Sequence, residues 1–156
     1  MVGGEDLRAL MRRFPSGICV LTVDLEGERF GSTMGSLISL SLEPPLVGVC
    51  VGRENAVHEP LRQARVFGIS ILAAEQERLA WWFARNVPPI AQWHGIALRD
   101  ADGPPLLEGA LGWLRSRIAA QHAVGDHTLF VGAVEALELG REGEALVYRR
   151  SSYAAA

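Results

Sequence analysis

Short apolar runs separated by turn-forming residues recur along the chain, and they limit the folds that it can adopt. Residues 46–51 and 66–72 are almost continuously apolar, as expected for strands that are covered on both faces. Residues 18–23 and 29–35 flank the turn Glu26-Gly27 and predict a hairpin. Three further strand-like runs lie in the second half of the chain: residues 111–122, 128–139 and 145–148. Roughly seven strands with few helices favour a closed or nearly closed antiparallel barrel, because closure removes exposed sheet edges.

Three helices are predicted, one before the first strand and two between strands. Apolar residues recur at helical spacing in residues 5–14 and 75–84, and Pro15 and Pro88-Pro89 end these two segments. Residues 55–65 also predict a short helix. Residues 86–109 are rich in Pro, Gly and Asp and predict a long surface loop. No repeat or linker divides the sequence, so we expect one domain over residues 1–156.

The charged residues exclude several kinds of chemistry. All 15 Lys+Arg residues are arginine, so a Walker A phosphate loop, a pyridoxal Schiff base and a lysine nucleophile are excluded. The net charge is -3 and like charges form no run, so we expect neither nucleic-acid nor membrane binding. The apolar stretches are shorter than the roughly 20 residues that cross a bilayer. Residues 1–14 carry too many charges for a secretory signal, so we expect a cytoplasmic protein.

The cysteines and histidines indicate no metal site. Cys19 and Cys50 are far apart in sequence, and we interpret them as buried, reduced thiols. His122 and His127 lie close together but have no third ligand at a metal-binding spacing. His127 follows the turn Gly125-Asp126 and precedes a strand. It is therefore either a side chain that faces a ligand at the barrel rim or a structural turn histidine.

Residues 31–46 are the richest segment for ligand binding. Hydroxyl-bearing residues lie there among apolar residues and glycines, before the pair Pro44-Pro45: Ser32, Thr33, Ser36, Ser39 and Ser41. Small hydroxyls beside glycines let a flat ligand approach the backbone and can also bind a phosphate. A polar-faced strand followed by a turn would have the same composition.

The segment Arg53-Glu54-Asn55 directly follows the apolar strand 46–51. An arginine and an amide at a strand end, beside a predicted helix start, can form a phosphate clamp. An arginine at such a position is otherwise a solvated surface residue. The clamp requires that this segment and residues 31–46 face one site.

Several motifs occur in a defined order from the first predicted helix to Tyr153. They are residues 13–22 (RFPSGICVLT), 31–46 (GSTMGSLISLSLEPPL), 49–53 (VCVGR), 67–72 (FGISIL), 79–84 (LAWWFA), 105–110 (PLLEGA), 125–132 (GDHTLFVG) and 146–148 (LVY). In the order and spacing of these motifs the chain resembles the flavin reductase-like family of FMN-binding split barrels. Members of this family are the small reductase components of two-component flavin monooxygenases.

The resemblance implies a mainly β split barrel of Greek-key type with a few flanking helices, and a homodimer with flavin near the subunit interface. The residues that it places around FMN are Thr33, Met34, Gly35 and Ser36 along the isoalloxazine and ribityl groups, Ser39, Arg53 and Asn55 near the phosphate, Cys50 and Val51 through their backbone, and Phe83. It places His127 where the nicotinamide docks.

The activity that this resemblance implies is that of an NAD(P)H-dependent flavin reductase. NADH or NADPH would be the hydride donor, FMN or FAD the acceptor, and a flavin-dependent monooxygenase the recipient of the reduced flavin. Two other hypotheses stay open from the sequence. One is an electron-carrier flavoprotein that holds FMN and reacts poorly with nicotinamide, and the other is a split barrel that has lost flavin and binds another ligand.

Overall fold

The computed structural model describes residues 1–156 and contains ten β-strands and four α-helices. The strands are β1 (Ser16–Gly17), β2 (Cys19–Leu25), β3 (Glu28–Met34), β4 (Ile38–Leu42), β5 (Pro45–Gly52), β6 (Val66–Ile71), β7 (Gly112–Val124), β8 (His127–Leu139), β9 (Leu146–Arg149) and β10 (Ser152–Ala155). The helices are α1 (Gly4–Met11), α2 (His58–Gln63), α3 (Glu77–Ala84), which follows a 3₁₀ turn, and α4 (Pro89–Gln92). No helix is both long enough and apolar enough to cross a membrane.

Seven of the strands form one antiparallel sheet in the order β3-β2-β6-β7-β8-β5-β4, and β1, β9 and β10 form a smaller sheet. The mainly β split-barrel prediction is therefore confirmed. Of the expected closed or nearly closed barrel, the closed form is wrong, because β3 and β4 are the two edges of the sheet and are not hydrogen-bonded to each other. A sheet that remains open must protect its edges in another way.

The edge of β3 is covered by a side chain that pairs with the backbone as a strand would. The amide of Gln92, at the end of α4, accepts a hydrogen bond from Gly31 N at 3.0 Å and donates one to Gly31 O at 2.9 Å. Nearby, the Thr33 hydroxyl donates to the Ala80 carbonyl of α3 at 2.7 Å. Gln92 of α4 therefore satisfies the backbone of this edge at Gly31, and α3 is held beside the edge through Thr33.

Two hydrophobic cores lie on opposite faces of β2 and β6. Leu21 packs in one core with Phe67 and Phe130, whereas Val20 packs in the other with Leu72. This alternation follows from the two-residue period of a strand. The interpretation of residues 66–72 as a strand covered on both faces is therefore confirmed, because the side chains from Phe67 to Ser70 are all buried.

Other local predictions agree with the structure in type but not in extent. The predicted hairpin corresponds to β2 and β3. The first two predicted helices are shorter in the structure, where they become α1 and α2, and the third becomes a 3₁₀ turn followed by α3. Strands β1 and β10 and helix α4 lie outside the predicted elements. They are too short for a hydrophobic period to reveal them.

Residues 86–109 do not form a loop that lies wholly on the surface. Leu106 and Leu107 are buried, and this part of the segment crosses over β2 and β6. Its backbone is satisfied by side chains, because the Thr22 hydroxyl donates to Pro105 O at 2.6 Å and Leu107 N donates to Ser70 Oγ at 2.9 Å. Two buried hydroxyls in the strands therefore allow this part of the segment to enter the core.

The two cysteines are free thiols in different surroundings. Cys19 is buried in the core of β2, and burial raises the pKa of its thiol to about 12. Cys50 is only partly buried, so the interpretation of two buried thiols is confirmed for Cys19 and wrong for Cys50. No group of three or more His, Cys, Asp or Glu side chains is placed to hold a metal ion.

Candidate functional site

A cavity of about 280 Å³ lies between β3, the loop that joins β5 to α2, and the end of α3. Asn55 joins two of its walls, because its Nδ2 donates to Ser32 Oγ at 3.0 Å. The Asn55 side chain is held by the loop itself, since its Oδ1 accepts a hydrogen bond from Val57 N at 3.0 Å. The two segments that the phosphate clamp requires are thus in direct contact.

The floor of this cavity is aromatic. Phe83 on α3 is 1% exposed, and its ring lies 5.1 Å from that of Trp93. A Cβ atom at position 31 would be 2.9 Å from two atoms of the Phe83 ring, so only glycine lets β3 lie so close to this floor. The cavity therefore combines an apolar wall at Phe83 with the polar groups of Ser32 and Asn55.

Thr33 and Ser36 use their hydroxyl hydrogens within the protein. The Ser36 hydroxyl donates to Cys50 O at 2.8 Å and accepts from Cys50 N at 3.1 Å, which ties the end of β3 to β5. Thr33 donates to α3, as described above. These side chains position the strands, and Met34 and Val51 are buried in the core.

Gly35 and Ser39 lie outside the cavity. Gly35 is exposed, and a Cβ atom there would be 2.8 Å from Ser16 Oγ. Ser39 is exposed on the edge strand β4, where it pairs with Val47. Of the residues proposed to surround FMN, only Asn55 and Phe83 line the cavity. Ser32 also lines it, and sequence reasoning noted this residue as one of several hydroxyls without assigning it a contact.

His127 begins β8 and lies beside the end of β5. It pairs in register with Gly52, and Arg53 N donates to Asp126 O at 3.0 Å. The half-exposed imidazole is within hydrogen-bond distance of Asp126, with 2.7 Å between Nδ1 and Oδ1. The hydrogen bond from His127 lowers the pKa of the Asp126 carboxyl. The ionised carboxylate accepts a hydrogen bond from the Nδ1–H of His127. The other ring nitrogen, Nε2, is therefore left for a ligand.

His58 is a polar residue of this region that the sequence did not single out. It is 8% exposed at the start of α2, its Nε2 lies 2.8 Å from Thr128 Oγ1, and its ring meets the edge of Phe130. His58 thus connects the loop that carries Arg53 and Asn55 to the strand that begins at His127. His58 and Thr128 are 70 positions apart in the sequence, which explains why no local pattern revealed the pair.

Stability should depend on pH through His58. Burial, followed by the charges of Arg62 and Arg53, holds the pKa of His58 below its ordinary value of 6.5, and Glu59 opposes this only in part. Below pH 6.5 the unfolded chain binds a proton at His58 that the folded chain does not bind. The free energy of unfolding therefore falls as the pH falls from 6.5 toward the folded-state pKa.

We expect urea unfolding at pH 7 and pH 5 to show a larger loss of stability in the wild-type protein than in His58→Gln. Glutamine can keep a hydrogen bond to Thr128 but does not titrate. The acidic residues contribute equally to both proteins and cancel in the comparison. An identical pH dependence in the two proteins would contradict the role of His58.

Comparison with known proteins gives one consistent result. The model of the flavin reductase like domain matches residues 11–156. The chain is 38% identical over 149 residues to the reductase component of 4-hydroxyphenylacetate 3-monooxygenase from Thermus thermophilus, covering 96% of this chain and 94% of that protein. It is 34% identical over 153 residues to the NADH:FMN oxidoreductase of Rhodococcus erythropolis, covering 95% of this chain and 79% of that protein.

A solved structure agrees with these sequence matches. The NADH:FAD oxidoreductase SgcE6 of Streptomyces globisporus C-1027 superposes with a TM-score of 0.91 and 33% identity, and the match covers 99% of this chain and 95% of that chain. The similarity extends over the β-sheet, the helices and the crossing segment alike. The chain belongs to the flavin reductase like domain family.

Proposed function

We propose that the protein is an NAD(P)H-dependent flavin reductase that binds FMN, with FAD as an alternative flavin. A bound flavin accepts a hydride at N5 from C4 of the reduced nicotinamide. The observation that carries the proposal is the contact of Asn55 with Ser32, which joins two polar segments over the aromatic floor at Phe83. The relatives described above, which are named as reductases of FMN or FAD, support it.

The residues of the cavity are suited to a flavin. Phe83 gives the cavity an apolar wall, and Asn55 keeps one amide hydrogen free after its bond to Ser32. At about 280 Å³ the cavity is slightly below the roughly 300–1,000 Å³ of ligand pockets, so it would hold only part of FMN. Because the chain has no lysine, an arginine must neutralise the phosphate, and Arg85 is the arginine that lines this cavity.

His127 and the backbone around Gly35 perform the remaining tasks in this proposal. Asp126 orients the imidazole of His127 so that Nε2 can hold the nicotinamide or the flavin edge in reactive geometry. The exposed backbone at Gly35 can donate hydrogen bonds to negative charge that develops on the flavin ring. Ser36 acts indirectly, because its bonds to Cys50 fix the strands that carry these groups.

The proposal includes a homodimer that supplies reduced flavin to a monooxygenase in the cytoplasm. Exposed apolar residues on β4, namely Ile38, Leu40 and Leu42, support a subunit interface. Relatives named as reductase components of monooxygenases support the partner. Two free cysteines are consistent with a reducing compartment.

Anaerobic stopped-flow measurements with FMN test the proposed activity. We expect NADH or NADPH to bleach the flavin absorbance much faster in the presence of the protein than with free FMN. A protein that retains FMN through gel filtration but is not bleached would instead be an electron carrier. A colourless protein that does not bind added FMN would contradict flavin binding itself.

A further inference from the structure

A second hollow, of about 340 Å³, lies between α2 and the ends of β7 and β8. It shares no lining residue with the cavity above Phe83. Its walls carry two arginines, a histidine, an amide and a hydroxyl: Arg53, Arg62, His58, Gln121 and Thr128, together with Ala123. We propose that this hollow binds a phosphate group in the adenylate half of a dinucleotide substrate, and this rests on the proposed reductase function.

The charge of the hollow favours an anion. Arg53 has no carboxylate partner, and Arg62 has only the exposed Glu59, whose Oε2 lies 3.0 Å from Nη1. Such an exposed pair is weak, and it leaves most of the five guanidinium N–H donors of Arg62 free. Both arginines lower the pKa of His58, so their positive potential reaches the bottom of the hollow.

The other polar groups hold the walls of the hollow in place. Thr128 is bound to His58 Nε2, and the amide of Gln121 donates to Arg62 O at 3.2 Å, which ties β7 to α2. His58 Nδ1 makes no hydrogen bond within the chain. A fixed wall with a free imidazole nitrogen and two guanidinium groups is the donor set that a phosphate ester requires.

The position of the hollow points to a dinucleotide. Thr128 directly follows His127, and Arg53 N is bonded to the Asp126 carbonyl, so the hollow adjoins the place assigned to the nicotinamide. Because it shares no lining residue with the proposed flavin cavity, the hollow is a place for a phosphate other than that of FMN. The adenylate half of NADH, NADPH or FAD carries the additional phosphate, whereas FMN and reduced nicotinamide mononucleotide lack that half.

The variant Arg62→Gln tests the assignment, and Arg117→Gln is its matched control. Arg117 is also half-exposed and also pairs with one exposed carboxylate, Glu135, at 3.1 Å. We expect Arg62→Gln to weaken binding of at least one adenylate-bearing substrate roughly tenfold, the effect of losing one charge-assisted hydrogen bond. Binding of FMN and of reduced nicotinamide mononucleotide should change less than twofold, and Arg117→Gln should change none of these values.

The substrates distinguish the source of the phosphate. A higher KM for NADPH alone indicates the 2′-phosphate, and a higher KM for both NADH and NADPH indicates the pyrophosphate. A weaker affinity for FAD alone indicates the adenylate half of the flavin. Equal weakening of FMN and FAD, or no change with any adenylate-bearing substrate, would overturn the proposal.

A titration with ADP tests the hollow without flavin or hydride transfer. We expect ADP to shift the NMR signal of the His58 ring in the wild-type protein, with a Kd that rises roughly tenfold in Arg62→Gln and is unchanged in Arg117→Gln. No shift at millimolar ADP would refute the site. If ADP binds but NADH does not reduce the flavin, the reductase proposal fails while the phosphate site stands.

Discussion

Replacing His127 by alanine should slow reduction of the bound flavin roughly 100-fold, a loss typical of a misplaced reacting group. We expect the Kd for FMN to change less than twofold. The physical reason is the position of the side chain, which is half-exposed at the start of β8 and has Asp126 as its one hydrogen-bond partner. Its removal takes little from the fold but leaves the nicotinamide without the group beside it.

Stopped-flow absorbance at the flavin band measures the rate of reduction, and quenching of FMN fluorescence measures the affinity. The matched control is His122→Ala, which removes an exposed histidine from the other strand of the same hairpin. We expect this control to leave both quantities unchanged. If His127→Ala reduces the rate and the affinity by the same factor, His127 is a structural turn residue.

The sequence predicted the elements that depend on neighbouring residues. The hairpin of β2 and β3 follows from the β-branched and apolar residues before the turn Glu26-Gly27, and β5 and β6 follow from their apolar runs. The open sheet could not be predicted in this way. Its edge is protected by Gln92, which lies 61 residues from Gly31 and has no local pattern that indicates this contact.

At the candidate site, the sequence predicted the types of residue that are present better than it predicted the contacts that they make. The hydroxyl-bearing residues of the segment 31–46 suggested direct ligand contacts. In the structure, however, the Ser36 hydroxyl is hydrogen-bonded to the Cys50 backbone and the Thr33 hydroxyl to α3. A sequence shows that a hydroxyl is present, but it does not show whether that hydroxyl is already hydrogen-bonded within the protein. His58 shows the reverse case, in which the sequence suggested no role but the structure gives one. Its role depends on Thr128, which comes into contact with His58 only when the sheet folds.

Replacing Phe83 by alanine should have the largest effect on stability at the site. The side chain is 1% exposed and packs against Trp93 beneath Gly31. Removal of a buried phenylalanine ring costs about 3–5 kcal/mol, because transfer energy is lost and a cavity remains. We also expect the affinity for FMN to fall roughly tenfold, since the aromatic floor of the cavity above it would be lost.

The variant Phe67→Ala separates these two effects. Phe67 is fully buried in the other core, and it lines neither the cavity nor the hollow. Urea unfolding should show a loss of about 3–5 kcal/mol in both variants, whereas only Phe83→Ala should bind FMN more weakly. If Phe83→Ala is too unstable to study, Phe83→Leu keeps a large apolar group but removes the flat ring. An affinity for FMN that falls equally in the Phe67 and Phe83 variants would mean that the aromatic floor supports the fold and does not contact the flavin.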